Sequence, residues 1–208
     1  MPIFPWAIIK IKLSSMTIMT QLLERKTEQR FVLNGVAWSD FKSIQGGLAN
    51  SPGVRLNYYQ GELELLSTSA EHEIVKGNLG YLLESYLLDI GVDFVATGSF
   101  SQEREATVSA QADESYCFGE AKLIPDVAVE VVITSGGLNK LKRYEALGVL
   151  EVWFWEDSQI TIYALGDGGY TQVPNSAFVP ELDVDQLARC AAIPSRREAV
   201  KAFRKRYP

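Results

Sequence analysis

The stretch that decides the fold is LIPDVAVEVVITSGGLNKLKRYEALGVLEVWFW, residues 123–155. It reads as a strand, a glycine turn, a short helix and a second strand. Residues 126–133 are rich in valine and apolar on both faces, as a central buried strand is. Ser135-Gly136-Gly137 marks a turn. Asn139 is placed to cap the helix that follows, and Gly148 to end it. Leu141, Tyr144 and Leu147 are spaced for one face of that helix. Into the valine run the sequence sets Glu130. A carboxylate there is costly unless something pairs or ligates it, so Glu130 is either a satisfied structural acid or a metal ligand. Lys140 falls in the first helical turn, where the helix dipole does not favour a cation. Pointing back over the strand end it would meet Glu130; otherwise it is a solvated surface lysine.

Upstream, residues 30–34 read as a short strand, and Ser39 as the cap of a helix carrying Phe41, Ile44 and Leu48. Residues 54–59 and 62–66 form a hairpin around Gln60-Gly61. Thr68 or Ser69 caps the longest helix, 70–90, with Val75, Leu79, Leu82, Tyr86 and Ile90 as its buried stripe and Gly91 at its end. Strands are expected over 92–97, 105–110 and 113–118. Downstream, 151–156 and 159–165 make a second hairpin with Asp157-Ser158 at its tip, and 170–173 extends it. Helices over 183–192 and 197–206 close the chain. This order predicts an α/β (α+β) domain with a mixed sheet flanked by helices.

A chain of 208 residues suits one domain with a sizeable core. Two cysteines, Cys117 and Cys190, without paired spacing argue against a disulfide framework or a zinc site and fit a reducing cytoplasm. The net charge of −6 does not mark a nucleic-acid binder by bulk electrostatics. The charge is uneven, however. Residues 193–208 form a basic C-terminal helix in which Arg196, Arg197, Lys201, Arg204, Lys205 and Arg206 face only Glu198. Such a tail contacts phosphates or is a solvated helix face. The opening run MPIFPWAIIKIKLSS is too short to span a bilayer and lacks a basic leader region and a small-residue cleavage site. Residues 1–18 are therefore expected outside the fold, and even ahead of the true start codon, with the domain itself over 28–192. No membrane partner is expected.

Two acids are candidate partners for Glu130. Asp126 lies four residues before it on the same strand, which at about 3.3 Å per residue is roughly 13 Å, too far to share one ion. Asp113 lies on the preceding strand with room for a turn between. If those strands pair, the Asp113 and Glu130 carboxylates meet at one point. Two such oxygens completed by water are how proteins hold magnesium. An acid pair, a cation and a lysine suit phosphodiester cleavage, the lysine orienting water or stabilising negative charge.

The stretches GELELLSTSAEHEIV, ADESYCFG, IPDVAVEVVITSGGLNKLKRYEALGV and EVWFWE, in this order, resemble the Uma-type restriction endonuclease family of the PD-(D/E)xK nuclease superfamily. The resemblance spans roughly residues 30–190. It implies a restriction-endonuclease-like fold and a divalent-metal-dependent endonuclease that hydrolyses DNA, with Mg2+ or Mn2+ on Asp113 and Glu130. Asp113 would be the aspartate of the first motif, although Ala112 rather than proline precedes it. Glu130 would be the acid of the second. Val132 stands where the usual lysine belongs, and Lys140 on the following helix takes its place. Glu62, His72 and Asp126 match further recurring polar positions, as supporting residues. Two of them have a plainer reading: His72 as a local cap, Glu62 as an exposed strand residue. DNA would enter near the 135–139 loop. A second reading is a catalytically inactive nuclease-fold protein that binds nucleic acid or protein. A third is a homodimer subunit joined through the aromatic hairpin around Trp153, although Trp153 and Trp155 suit core packing better.

Overall fold

The computed structural model describes residues 28–51, 53–133 and 137–207. Segment 1–18 and the turn residues Ser135 and Gly136 lie outside them. Among the described residues, two sheets and five α-helices form the fold. The five-stranded sheet runs β1 (Gln29–Leu33), β3 (Glu62–Ser67), β2 (Val54–Tyr59), β6 (Val108–Gln111), β5 (Ser101–Arg104), every pair antiparallel. The six-stranded sheet runs β11 (Gly169–Val173), β10 (Gln159–Gly166), β9 (Glu151–Glu156), β8 (Val127–Val132), β7 (Glu114–Phe118), β4 (Phe94–Ala96). It is the mixed sheet, because β8 pairs β9 in parallel and its other pairs are antiparallel. The chain leaves one sheet after β6 and enters the other at β7, so Ala112 and Asp113 stand at the crossing.

The helices are α1 (Trp38–Gly47), α2 (Ala70–Asp89), α3 (Leu141–Leu147), α4 (Val184–Ala191) and α5 (Arg196–Arg204). Side-chain alternation along β8 sorts the core into layers. Val127, Val129 and Val131 point to the side covered by α2, α4 and α5, with Trp153 and Trp155 of β9 beside them. Ala128 and Val132 point the other way, to Tyr144 and Leu147 of α3 and to Val108, Ala110 and Ala112 from the five-stranded sheet. Helix α3 is thus wedged between the two sheets. Glu130 shares the α3 face by the same period of two. On the far face of the five-stranded sheet, Phe41 of α1 packs on Leu56, Tyr58 and Leu63.

Several local expectations are corrected. Helix α1 begins at Trp38 with Ala37 at the cap position and no side-chain cap; Ser39 lies within the helix, and its carbonyl accepts from Ser43. Of the two cap candidates for α2, Ser69 is the one that caps it, accepting from the His72 N–H, as expected. Ile90 is 48% exposed, because the helix has already ended at Asp89. Residues 105–110 are not one strand: the chain turns at 105–107 with Ala106 left-handed (φ 57°), which makes β5 and β6 a hairpin. Lys140, not Asn139, stands at the cap position of α3 and makes no side-chain cap bond, since a 3-10 turn over Gly137–Lys140 runs straight into the helix. Gly148 ends that helix at φ 86°, as expected. Trp153 and Trp155 are 1% and 5% exposed, so the hairpin they stand on presents no aromatic patch.

The basic C-terminal helix is part of the core. Ala199 and Phe203 of α5 are buried, and Tyr207 packs edge-on against Tyr86. No described helix is long and apolar enough to cross a membrane.

Candidate active site

Three polar groups converge where the crossing, β8, the hairpin β2–β3, the first turn of α2 and the wedge helix α3 meet. The first is built on Asp113. Its N–H donates to the Val129 carbonyl at 3.0 Å, and its Oδ2 accepts from the Val131 N–H at 2.6 Å. Asp113 therefore grips β8 on both sides of Glu130. Its Oδ1 accepts from the Arg55 guanidinium, and His72 Nε2 lies 3.2 Å from Oδ2. Burial and then the Arg55 charge push the His72 imidazole down to about 4. At neutral pH it is uncharged and donates Nε2–H to the carboxylate.

The second group is built on Glu130. Lys140 donates to its Oε2 at 2.7 Å, and the Tyr144 hydroxyl donates to Oε1. Lys140, Tyr144 and Glu130 are all buried. Burial, followed by the Glu130 charge, holds the Tyr144 phenol well above its ordinary value, so it stays a donor. The two groups sense each other electrostatically: the charges of both Glu130 and Lys140 act on His72.

The third group is built on Arg143. This guanidinium, 3% exposed, bridges Glu62 and Glu64 of β3 and so ties α3 to the five-stranded sheet. Glu64 is 1% exposed and also pairs with Arg30. Burial alone would raise its carboxyl; the charge and hydrogen bond of Arg143, with Lys140 and Arg30 behind them, outweigh burial and hold it below its ordinary value. Lys140 is thus within electrostatic reach of the second and third groups alike.

The six residues picked from the sequence fall out as follows. Asp113 and His72 touch, and Glu130 and Lys140 touch. Glu62 is 41% exposed, and its bonded partner among the described residues is Arg143. It stands on the rim of a cavity of about 480 Å³ with Asn139, Lys142 and Arg143. Asp126 accepts from the Phe118 N–H and from Lys122, so it closes its own loop apart from the other five. Arg55, Glu64, Arg143 and the Tyr144 hydroxyl were missed. One signal was available: Lys140, Arg143 and Tyr144 have the three-and-four spacing of one helix face. The other was alternation, since Arg55 and Asn57 share one side of β2 just as Glu62 and Glu64 share one side of β3.

Among the described residues, no group of three or more His, Cys, Asp or Glu side chains is set to hold a metal ion. Asp113 and Glu130 are both buried carboxylates, and Asp113 is bonded to the residues on either side of Glu130. That set fits a hard divalent cation such as Mg2+, which binds through one or two carboxylates and completes its shell with water and substrate phosphate.

A scan against protein-family models matches residues 38–194 to Uma2, described as "Putative restriction endonuclease". A search of curated proteins gave no match.

Proposed function

This chain belongs to the Uma2 family, and we propose that it is a divalent-metal-dependent endonuclease that hydrolyses DNA phosphodiester bonds at Asp113, Glu130 and Lys140. The family carries the nuclease assignment at its own level. The observation that supports the finer reading is the grip of Asp113 on β8 around Glu130, with Lys140 2.7 Å from the Glu130 carboxylate.

Asp113 and Glu130 would hold the cation. Mg2+ or Mn2+ bound there would polarise the phosphate and lower the pKa of the attacking water. The chain's own groups do the rest. Lys140 balances Glu130 before substrate arrives and then offers its remaining N–H donors to the charge that builds on the phosphate. Tyr144 fixes the second Glu130 oxygen, which orients the first. His72, buried and neutral, orients Asp113 and is not poised to shuttle protons near pH 7. Glu62 and Arg143 line the rim where the backbone of DNA would run. The free, buried Cys117 and Cys190 suit a cytoplasmic setting.

Plasmid nicking with magnesium tests the proposal. Wild type should convert supercoiled plasmid to the open circle, and Glu130→Ala should lose at least about a hundredfold, the scale of removing an electrostatic stabiliser. Equal nicking by the two proteins sinks the assignment.

A second reading has an observation of its own. Both acids already hold cationic partners, Arg55 and Lys140, and Val132 is packed in the core where a motif lysine would stand. That arrangement suits a non-catalytic protein that binds nucleic acid or protein on the same scaffold. Calorimetric titration separates the two: no Mn2+ binding at millimolar concentration favours the second.

A further inference from the structure

A cavity of about 460 Å³ opens beside the first group, lined by Arg55, Lys76, Thr68, Ser51, Ser99 and Glu73 among others. Arg55 connects it to the candidate active site. Its Nη1 donates to Asp113, while its Nη2 stands 3.9 Å from Glu73 Oε1, beyond hydrogen-bond reach. Among the described residues, the Asp113 bond and this looser ion pair are the contacts of the guanidinium, which leaves it donors for a ligand in the cavity. Lys76 stands on the same wall, and its charge acts on Glu73. The hydroxyls of Ser51 and Ser99 add neutral donors, while the Thr68 hydroxyl is bonded to Glu73. The N-terminal end of α2 opens nearby, just past Thr68.

We propose that this cavity is a phosphate-binding subsite, and that a phosphate seated in it draws Arg55 off Asp113 and opens that carboxylate to a divalent cation. The second half rests on the reading of Asp113 and Glu130 as the cation site. The argument is one of charge balance. Arg55 and Lys76 are offset by Asp113 and Glu73, and Glu114 lies within electrostatic reach of both cations. A phosphate arriving alone finds no net positive charge. A divalent cation arriving alone finds Asp113 already neutralised. Arriving together, the phosphate takes over the guanidinium, which matches its geometry in a two-pronged bond, and the cation takes over the carboxylate. Each ligand removes the cost of the other, so the coupling is reciprocal. The phosphate has two chemical sources, the backbone of a nucleic acid or the free anion.

Electron paramagnetic resonance of free Mn2+ tests this in the full chain, with protein-free blanks for each additive. Wild type, Arg55→Met, Lys76→Ala and Glu130→Ala are titrated alone, with inorganic phosphate, and with a short single-stranded oligonucleotide. Wild-type affinity for Mn2+ should rise about tenfold or more with the effective additive, within the usual range of coupling. Arg55→Met should bind Mn2+ that tightly with no additive and gain little from one. Lys76→Ala should lose most of the enhancement, and it carries the test if Arg55→Met fails to fold. Enhancement by the oligonucleotide alone assigns the subsite to nucleic acid; equal enhancement by phosphate assigns it to the free anion. Equal Mn2+ affinity in wild type and Arg55→Met, or full enhancement in Lys76→Ala, overturns the subsite. If Glu130→Ala still abolishes Mn2+ binding in that case, the cation site stands without it. No Mn2+ binding in any protein removes both.

Discussion

Arg143 shows what a single side chain does here. Its guanidinium is buried against Glu64 and also reaches Glu62, so truncation leaves the Glu64 carboxylate inside with Arg30 as its remaining ion-pair partner among the described residues and Lys140 acting at longer range. Arg143→Ala should cost on the order of 3–5 kcal/mol in chemical denaturation, the usual penalty for breaking a buried pair. Arg143→Lys should recover part of that, because charge returns without the fork. Tyr144→Phe is subtler. It removes one donor from Glu130 and should cost about 1–3 kcal/mol, since a buried carboxylate oxygen loses its partner. His72 sets the acid limit. Its folded value of about 4 lies below the ordinary 6.5, so the unfolded chain binds the proton more readily between those values. Stability should therefore be full above pH 6.5 and fall as pH drops toward 4. The lowered Glu64 carboxyl adds a further loss below its ordinary 4.5. Burial raises the Glu84 and Glu114 carboxyls, which offsets part of this loss in acid, so the His72 share is the difference between wild type and His72→Gln in melting temperature between pH 6.5 and 4.

At the scale of elements, α3 carries most of the argument. Seven residues long, it is too short to be stable alone. It holds its place because Tyr144 and Leu147 are buried, Arg143 is clamped to β3, and Gly148 turns the chain sharply back toward β9. A Cβ at Gly148 would meet nothing within 4 Å, so the cost of Gly148→Ala is the left-handed backbone alone, about 1–2 kcal/mol. A thermal melt should show it, and folded protein should keep the Lys140–Glu130 pair. The nearby turns show how unevenly sequence signals work. Gly148 and Gly91 announced their helix ends. The β5–β6 turn passed unread, because Ala106 takes the left-handed conformation without a glycine or asparagine to flag it.

The whole molecule is held by a core on one face of the six-stranded sheet, and the C-terminal helix belongs to it. The family match ends at residue 194, yet Phe203 is buried against this core and the Tyr207 hydroxyl accepts from the Asp183 N–H. Phe203→Ala should cost about 3–5 kcal/mol. Lys205→Ala, on the exposed face of the same segment, should stay within about 0.5 kcal/mol. Denaturant midpoints of the two variants separate a core helix from a solvated basic tail. If that face also meets DNA, Lys205→Ala should weaken binding evenly across sequences and flatten its salt dependence.

The sequence by itself determined what repeats at short range. The valine strand with Glu130 inside it, the capped long helix, the β9–β10 hairpin and the four blocks shared with the family are local patterns, and local patterns survive without coordinates. It also set Asp126 apart from Glu130 along one strand, because the rise per residue is fixed by bond geometry. Tertiary structure alone decided what the polar faces do. The alternation in β2 and β3 reads as one side for the core and one for water. Yet α3 and the crossing at Asp113 close over that second side, which buries Arg55 and Glu64 and leaves Glu62 on the rim. Period gives the side of a strand, and only the packing of distant elements gives what covers it.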